Sequence, residues 1–215
     1  QLSYLGATTS VKKGWASSAE YLPAASPADY GPNLKKFVDK KCTYIIGVGF
    51  ALGDAIIASA EANPTVKYAI VDDAGLKNFT TPIANLKGIT FKTNENSFLA
   101  GYLAAGYSKT GVVATYGGMP FPTVTIFMDG FAKGVEYYNN VNNKSVKVLG
   151  WDPAKPSAGT MVGDFANTNK ALSISQNFEL QGADVIFPVA GSLGVTTAEN
   201  SVKSKKSVTI GVDAD

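Results

Sequence analysis

The stretch TYIIGVGFALGDAI, residues 43–56, decides the fold. Its first half is an apolar run typical of a buried strand, and its three glycines lead into a helical pattern. The next apolar run, YAIVDD, ends in Asp72 and Asp73. A strand, a glycine-rich turn, a helix and a distant acid are the parts of a dinucleotide-binding fingerprint, so a nicotinamide-dependent oxidoreductase is one hypothesis.

The spacing of the glycines argues against that hypothesis. The run is G-x-G-x-x-x-G rather than G-x-G-x-x-G, and Phe50 follows Gly49 where a pyrophosphate would need close approach to the backbone. A tight strand-to-helix turn needs glycines for its backbone alone. We therefore interpret this turn as something other than a cofactor site.

Strand and helix patterns alternate along almost the whole chain. Continuous apolar strands joined by helical crossovers predict an α/β fold whose parallel sheets are covered on both faces. The alternation forms two sets, which predict a first doubly wound lobe over residues 1–93 and a second over 94–215, with a seam at Thr93-Asn94. Within these sets, residues 17–24 (SSAEYLPA) predict a short strand and residues 163–182 a long helical stretch.

The two ends of the chain predict an incomplete pair of lobes. The chain opens on a helical pattern with no strand before it and closes on a strand tip, GVDAD. We expect the first lobe to lack its first strand and the second to end at the return crossing, so that the chain is truncated at both ends and binds ligand more weakly than a longer parent.

Composition excludes several kinds of site. The 215 residues carry a formal net charge of +2, which gives no electrostatic reason to bind nucleic acid. The chain has no His and no Arg, so it cannot build a His-based metal site, a His-dependent catalytic triad or a bidentate arginine clamp for an anion. We expect no cofactor, no metal and no catalytic residue, and a neutral ligand rather than an anionic one.

Candidate ligand-binding residues follow the predicted strands. Asp72 and Asp213 each end an apolar strand, one in each half, where a carboxylate can accept hydrogen bonds from ligand hydroxyl groups. Turn formation or helix capping would explain either aspartate equally well on its own. Small or flexible residues also end strands, at Gly118, Met119 and Gly191.

Two aromatic residues lie in polar, loop-like stretches. Trp151 lies in GWDPAKPSAG and Phe165 in VGDFANT. A flat ring in such a loop can stack on a base or on the face of a sugar.

Five strings in this order resemble one family: GVGFALGDAIIASAEANPTVKYAIVDD, NSFLAGYLAAGYSKTGVVATYGG, FMDGFAKGVEYY, QGADVIFPVAG and IGVDAD. They are similar to the basic membrane proteins, the PnrA-like substrate-binding lipoproteins of ABC transporters. The resemblance covers nearly the whole chain and implies a type I periplasmic-binding-protein fold, two parallel-sheet lobes hinged around a cleft. Characterised members of the family bind purine nucleosides.

The resemblance implies roles for the candidate residues. It implies that Asp72 and Asp213 face ribose hydroxyl groups, that Phe165 stacks on the base and that Gly191 lines the second lobe. The glycine-rich turn with Gly49 and Phe50 then lines the cleft.

We therefore predict a non-enzymatic solute receptor that hands a neutral nucleoside to an ABC permease. The resemblance implies an extracytoplasmic protein held to the membrane only by a lipid anchor outside this chain. A sugar receptor of the same fold is the first alternative, because strand-end aspartates suit both ligands, and the nicotinamide enzyme is the second.

Overall fold

The computed structural model describes residues 2–212, which divide into two compact units. The first unit ends at Phe91 and the second begins at Lys92. The seam predicted at Thr93-Asn94 falls inside the first turn of a helix, so the division lies just ahead of it. That the units act as hinged lobes remains a prediction.

Helices and strands alternate in both units as predicted. The first unit contains α1 (Leu2–Lys12), α2 (Tyr30–Asp39), β1 (Tyr44–Val48), α3 (Gly53–Ala62), β2 (Lys67–Val71), β3 (Leu76–Lys77), β4 (Thr81–Pro82) and β5 (Leu86–Ile89). The described part of the second contains α4 (Thr93–Tyr107), β6 (Val112–Gly117), α5 (Pro122–Asn142), β7 (Lys147–Leu149), α6 (Thr168–Leu180), β8 (Val185–Val189), α7 (Leu193–Ser204) and β9 (Val208–Thr209). No helix within residues 2–212 combines the length and apolarity that crossing a bilayer requires.

The sheet of the first unit is parallel, in the order β1-β2-β5. Ile45, Tyr68 and Ile70 face one side of it and pack with residues of α2 and α3 in the core of this unit. On β1 the side chains between them point the other way, where Tyr44, Ile46 and Val48 are about half exposed. Alternation along the strand therefore places the core on the helical side of the sheet.

The sheet of the second unit is doubly wound. Its four strands are parallel in the order β7-β6-β8-β9. One face packs on α4 and α5, where the rings of Phe131 and Phe187 stack with centroids 5.1 Å apart. The other face packs on α6 and α7, and there the buried Tyr116 hydroxyl shares a 2.7 Å hydrogen bond with Thr197. Helices on both faces of a parallel sheet are the architecture that the sequence predicts.

Two glycines let α4 and α5 approach until their backbones touch. A Cβ atom on Gly101 of α4 would lie 2.0 Å from the carbonyl oxygen of Phe131, and one on Gly134 of α5 would lie 2.0 Å from that of Phe98. Both distances are far inside van der Waals contact. No side chain fits at either position while the helices keep this spacing.

Two local predictions are wrong. Residues 17–24 form no strand: Pro23 removes a ladder donor, and Tyr21 is 61% exposed and contacts the ring of Tyr4 in α1 instead of a sheet. The helix predicted over 163–182 begins only at Thr168, because the Asp164 carboxylate accepts the backbone N–H groups of Ala166 and Asn167 and closes a turn. These hydrogen bonds also lower the pKa of the Asp164 carboxyl group.

Asp184 joins the start of β8 to the loop between α4 and β6. Its carboxylate accepts hydrogen bonds from the Ser108 hydroxyl at 2.6 Å and from the backbone N–H groups of Lys109 and Thr110. Partial burial raises the pKa of this carboxyl group, but the hydrogen bonds outweigh it and the net pKa is lowered. The folded protein therefore stabilises the charged form of the Asp184 side chain over the neutral form.

We expect this lowered pKa to make folding stability depend on pH. The contribution of Asp184 is complete above the ordinary aspartate pKa, and it is lost as the pH falls towards the lowered pKa of the folded state. Because the group is partly exposed, Asp184→Asn should cost only about 1 kcal/mol at pH 7. Urea unfolding at pH 7 and pH 3 should show a smaller loss on acidification for the variant. An unchanged pH dependence would contradict this assignment.

Candidate functional site

The carboxyl edge of the second unit's sheet contains a topological switch point. The chain passes from β6 outward to β7 and then returns to place β8 on the other side of β6. In open parallel sheets, ligands bind in the crevice beyond the carboxyl ends of the strands where the order reverses. This locates a candidate site between the ends of β6 and β8.

The turns after these strands lie side by side. Gly118 follows β6 and donates its backbone N–H to the carbonyl oxygen of Val189, 3.0 Å away at the end of β8. Gly191 follows β8 with a φ of +55°, in the left-handed region that favours glycine. Met119, also predicted from the sequence, is half-buried in the loop after Gly118.

A returning loop extends this edge beyond the short strand β7. The backbone of residues 160–163 pairs with the end of β6: Gly117 donates to Thr160 at 3.0 Å, and Val162 and Gly163 donate to Gly117 and Gly118 at 2.9 and 2.7 Å. The loop is therefore anchored two residues before Phe165. This pairing brings Phe165, which is distant in sequence from both strand ends, to the switch point.

The ring of Phe165 lies directly on the glycine turn. A Cβ atom on Gly118 would be 2.2 Å from Cε1 of this ring, and one on Gly191 would be 3.8 Å from its Cδ1. The ring of Phe121 stacks on it with a centroid distance of 6.3 Å and an interplanar angle of 22°. The sequence predicted three of these residues separately: Phe165, Gly118 and Gly191. In the structure they meet at the strand ends, where the ring of Phe165 lies against both glycine turns.

Phe121 was not among the predicted site residues. It lies in GGMPFP, between the end of β6 and Pro122 in the first turn of α5. An aromatic residue three positions after a glycine turn at a strand end is a signal that could have identified Phe121 as a site residue. The sequence does not show which ring it meets, since 43 residues separate the two and only the returning loop brings them together.

The predicted surroundings of Trp151 are corrected by the structure. The residue lies in the loop after β7, but its side chain is 5% exposed and belongs to the apolar core between the sheet and α5. Its indole N–H donates to Asp129 of α5 at 2.9 Å, which satisfies the ring's single polar group. A Cβ atom on Gly159 would lie 2.5 Å from the ring, so the PAKPSAG loop folds over it. The role of Trp151 in ligand binding remains a prediction, and its burial and its bond to Asp129 argue for a structural role.

The first unit has its own set of predicted residues at the carboxyl edge of its sheet. Gly49 follows β1 with a φ of +99°, and Phe50 begins the 3₁₀ turn that leads into α3. Asp72 follows β2 with a φ of +66°, which is uncommon outside glycine but tolerated by aspartate. Its backbone N–H donates to Ile89 of β5 at 2.8 Å. Gly49 and Phe50 therefore follow the end of β1, and Asp72 follows the end of its neighbour β2.

Asp73, beside Asp72, has a structural role. Its carboxylate accepts the backbone N–H of Gly75 at 2.7 Å, which closes the turn into the β3–β4 hairpin. A Cβ atom on Gly53 would lie 3.3 Å from the same carboxylate, so the group is close to the first residue of α3. Asp73 therefore forms a turn, and Asp72 is the candidate ligand-binding residue of the pair. Asp213, the candidate of the other half, lies outside the described residues.

The two parallel-sheet units have the type I periplasmic-binding-protein fold. A solved solute-binding protein of an ABC transporter from Aeropyrum pernix K1 superposes with a TM-score of 0.72 at 23% identity, covering 97% of this chain and 56% of that one. At that identity the likeness concerns the fold alone.

The family follows from the sequence comparison. Residues 3–215 match the family model described as "ABC transporter substrate-binding protein PnrA-like", and the chain belongs to this family. It is 32% identical over 220 residues to the CD4+ T-cell-stimulating antigen of Listeria monocytogenes, covering 100% of this chain and 56% of the relative. It is 29% identical over 217 residues to the ABC transporter nucleoside-binding protein BmpA of Lactococcus lactis, covering 98% and 56%. The chain thus spans about half the length of the curated relatives it matches.

Proposed function

We propose that this protein is the solute-binding receptor of an ABC importer and that it binds a neutral nucleoside, purine nucleosides foremost. The observation that carries the proposal is the ring of Phe165, which lies on the Gly118 turn at the switch point of the sheet. A base offers a flat, apolar face to such a ring. The name of the Lactococcus lactis relative supports the same ligand class.

The proposal assigns the ribose to strand-end carboxylates. Asp72 would accept hydrogen bonds from the ribose hydroxyl groups at charge-assisted strength, and Asp213 would do the same from the second unit. A nucleoside needs no anion clamp, and the chain contains no arginine with which to build one. Ring and carboxylate together distinguish a nucleoside from a free base.

The proposed mechanism is binding and release without chemistry. Closure of the two units around the ligand would present it to a permease, as hinged receptors do. Membership of the transporter family supports a membrane partner and an extracytoplasmic location. It gives no support to the nicotinamide enzyme. Attachment through a lipid anchor outside this chain is part of the proposal.

Phe165→Ala tests the proposal, because stacking acts on the base and not on the sugar. We expect the variant to bind inosine, guanosine and adenosine about 1–2 kcal/mol more weakly, while any binding of free ribose changes little. Phe165→Leu is the matched control: it keeps most of the apolar volume and loses the flat ring, so it should recover only part of the loss. Isothermal titration calorimetry measures all of these affinities.

Two results would contradict the nucleoside assignment. Equal losses for nucleosides and ribose would make Phe165 part of the scaffold and favour the sugar receptor. Binding of ribose or another free sugar with no measurable binding of any nucleoside would replace the ligand class altogether.

A further inference from the structure

The ring of Phe165 occupies the space that a side chain at position 118 would need. A Cβ atom on Gly118 would meet three atoms of this ring first, Cε1 at 2.2 Å, Cδ1 at 2.4 Å and Cζ at 2.8 Å. All three distances lie well inside van der Waals contact, so the ring and a methyl group cannot share this space. Gly118 is not among the glycines with a positive φ, so its backbone conformation does not require glycine. The space for the ring is therefore what requires glycine here.

A second aromatic ring supports Phe165 from a rigid part of the fold. The centroid of the Phe121 ring lies 6.3 Å from that of Phe165, and the planes of the two rings are 22° apart. The carbonyl oxygen of Phe121 accepts the backbone N–H groups of Val124 and Thr125 at 2.9 Å, which ties the residue to the first turn of α5. Both rings also pack against the apolar core between the sheet and α5. Phe121 therefore gives the Phe165 ring a fixed neighbour.

The backbone on both sides of Phe165 is held by hydrogen bonds as well. Before it, the N–H group of Gly163 donates to the carbonyl oxygen of Gly118 at 2.7 Å. After it, the Asp164 carboxylate accepts two backbone N–H groups further along the loop, at 2.9 and 2.8 Å, and closes a turn around Phe165. The residue that carries the ring is thus fixed at its backbone as well as at its side chain.

We propose that Gly118, Phe121 and Asp164 are positioning residues that fix the ring of Phe165 before a ligand arrives. Gly118 supplies the space, Phe121 supplies a packing surface and Asp164 supplies the turn, and none of the three has to touch the ligand. Phe165 is half-buried, so part of its side chain stays accessible to a base. A side chain that is ordered in advance loses little conformational entropy on binding, which strengthens the complex. The inference rests on the proposed function, in which this ring stacks on the base.

Gly118→Ala tests the seat of the ring. The methyl group displaces the ring, and because the obstacle is a side chain rather than backbone, the melting temperature should change by less than about 3 °C. We expect the affinity for inosine or guanosine, measured by isothermal titration calorimetry, to fall about tenfold. Gly194→Ala in the first turn of α7 is the matched control. Its Cβ atom would meet Pro188 at an ordinary 3.6 Å, so the affinity should change less than about twofold.

A double-mutant cycle shows whether Gly118 acts through the ring. In a Phe165→Ala background the ring is gone, so Gly118→Ala should then weaken nucleoside binding by less than about twofold. A second loss of about tenfold in that background would place Gly118 itself against the ligand and overturn the positioning role. An unchanged affinity of Gly118→Ala in the otherwise wild-type protein overturns it as well.

Asp164 has a matched control in the same loop. Asp164→Ala opens the turn and should weaken nucleoside binding about three- to fivefold, whereas Asp164→Asn keeps an oxygen that can accept the same N–H groups and should recover most of the loss. The Asp152 carboxylate closes a similar turn by accepting the N–H group of Ala154 at 2.9 Å. Asp152→Ala should therefore leave the affinity within about twofold of the wild-type value. Equal losses for the two alanine variants would remove Asp164 from the proposal.

Fluorine NMR tests the positioning without a ligand. In protein labelled with 4-fluorophenylalanine, Phe165→Leu identifies the signal of this ring by its loss. The variants at the three positioning residues, Gly118→Ala, Phe121→Leu and Asp164→Ala, should each shift that signal, because it depends on the groups around the ring. The two control variants should leave it in place.

This measurement separates a wrong position from a wrong ligand. A signal that one of the three variants leaves in place removes that residue from the proposal, and a signal that none of them moves overturns it. Signals that move in a protein that binds no nucleoside would keep the positioning residues and refute the proposed ligand class.

Discussion

We expect Gly101→Ala to lower the free energy of unfolding of the second unit by about 3 kcal/mol or more, because α4 and α5 are in backbone contact at this residue. The added Cβ atom would lie 2.0 Å from the Phe131 carbonyl oxygen, and the obstacle is backbone, which cannot rotate away. The helices must separate, which opens the packing around Ala104 and Phe131 in the core of this unit. Alanine's higher helix propensity recovers about 1 kcal/mol at most.

Gly106→Ala is the matched control in the same helix. The nearest atom to its Cβ would be Cε2 of Tyr138 at 3.3 Å, the far part of a side chain that can shift. The same exchange should therefore change the free energy of unfolding by less than about 1 kcal/mol, in either direction. Urea unfolding followed by circular dichroism compares the two variants. Equal losses would mean that the close contact at Gly101 does not control stability.

The largest effect on binding is expected at Asp72. Removal of a carboxylate that accepts a hydrogen bond from a ribose hydroxyl should weaken ribonucleoside binding by about 1.5–3 kcal/mol. The backbone of Asp72 adopts a φ of +66° at the end of β2, an uncommon conformation that supports a functional position. Asp72→Asn keeps the shape and tolerates the same backbone, whereas Asp72→Ala removes the acceptor.

The ligand provides a second control. The wild-type protein should bind a ribonucleoside more tightly than the corresponding 2′,3′-dideoxynucleoside, and Asp72→Ala should lose most of that preference. Asp73→Asn should keep it, because the Asp73 carboxylate bonds to the Gly75 backbone N–H instead. If Asp72→Ala binds ribonucleosides with unchanged affinity in calorimetry, Asp72 does not belong to the site.

The elements around the opening stretch were predictable because their patterns are local. The apolar run at Tyr44 becomes β1, and the helical pattern after its glycines becomes α3, Gly53–Ala62. The run stands out because it is apolar along its whole length, although its outer face, with Tyr44, Ile46 and Val48, is about half exposed in the structure. The segment of residues 17–24 forms no strand, because Pro23 cannot donate to a ladder and none of its residues joins a buried core cluster.

The candidate site was predictable only in part. Gly118 and Gly191 end adjacent parallel strands, so the sequence places them at one edge without knowledge of the structure. Trp151 and Phe165 looked alike in sequence, as rings in polar loops. The structure buries Trp151 against Asp129 and sets Phe165 on the glycine turn, because the backbone pairing of residues 160–163 with β6 folds the loop between them.

The sequence by itself determined the α/β class, the family and the edge of the sheet at which strand-end residues collect. These depend on hydrophobic periodicity and on the direction of parallel strands, which are properties of short segments. Only the tertiary structure decided that Phe121 stacks on Phe165 and that Gly118 provides the space for this ring. Both depend on contacts between residues far apart in the chain, which no short segment specifies.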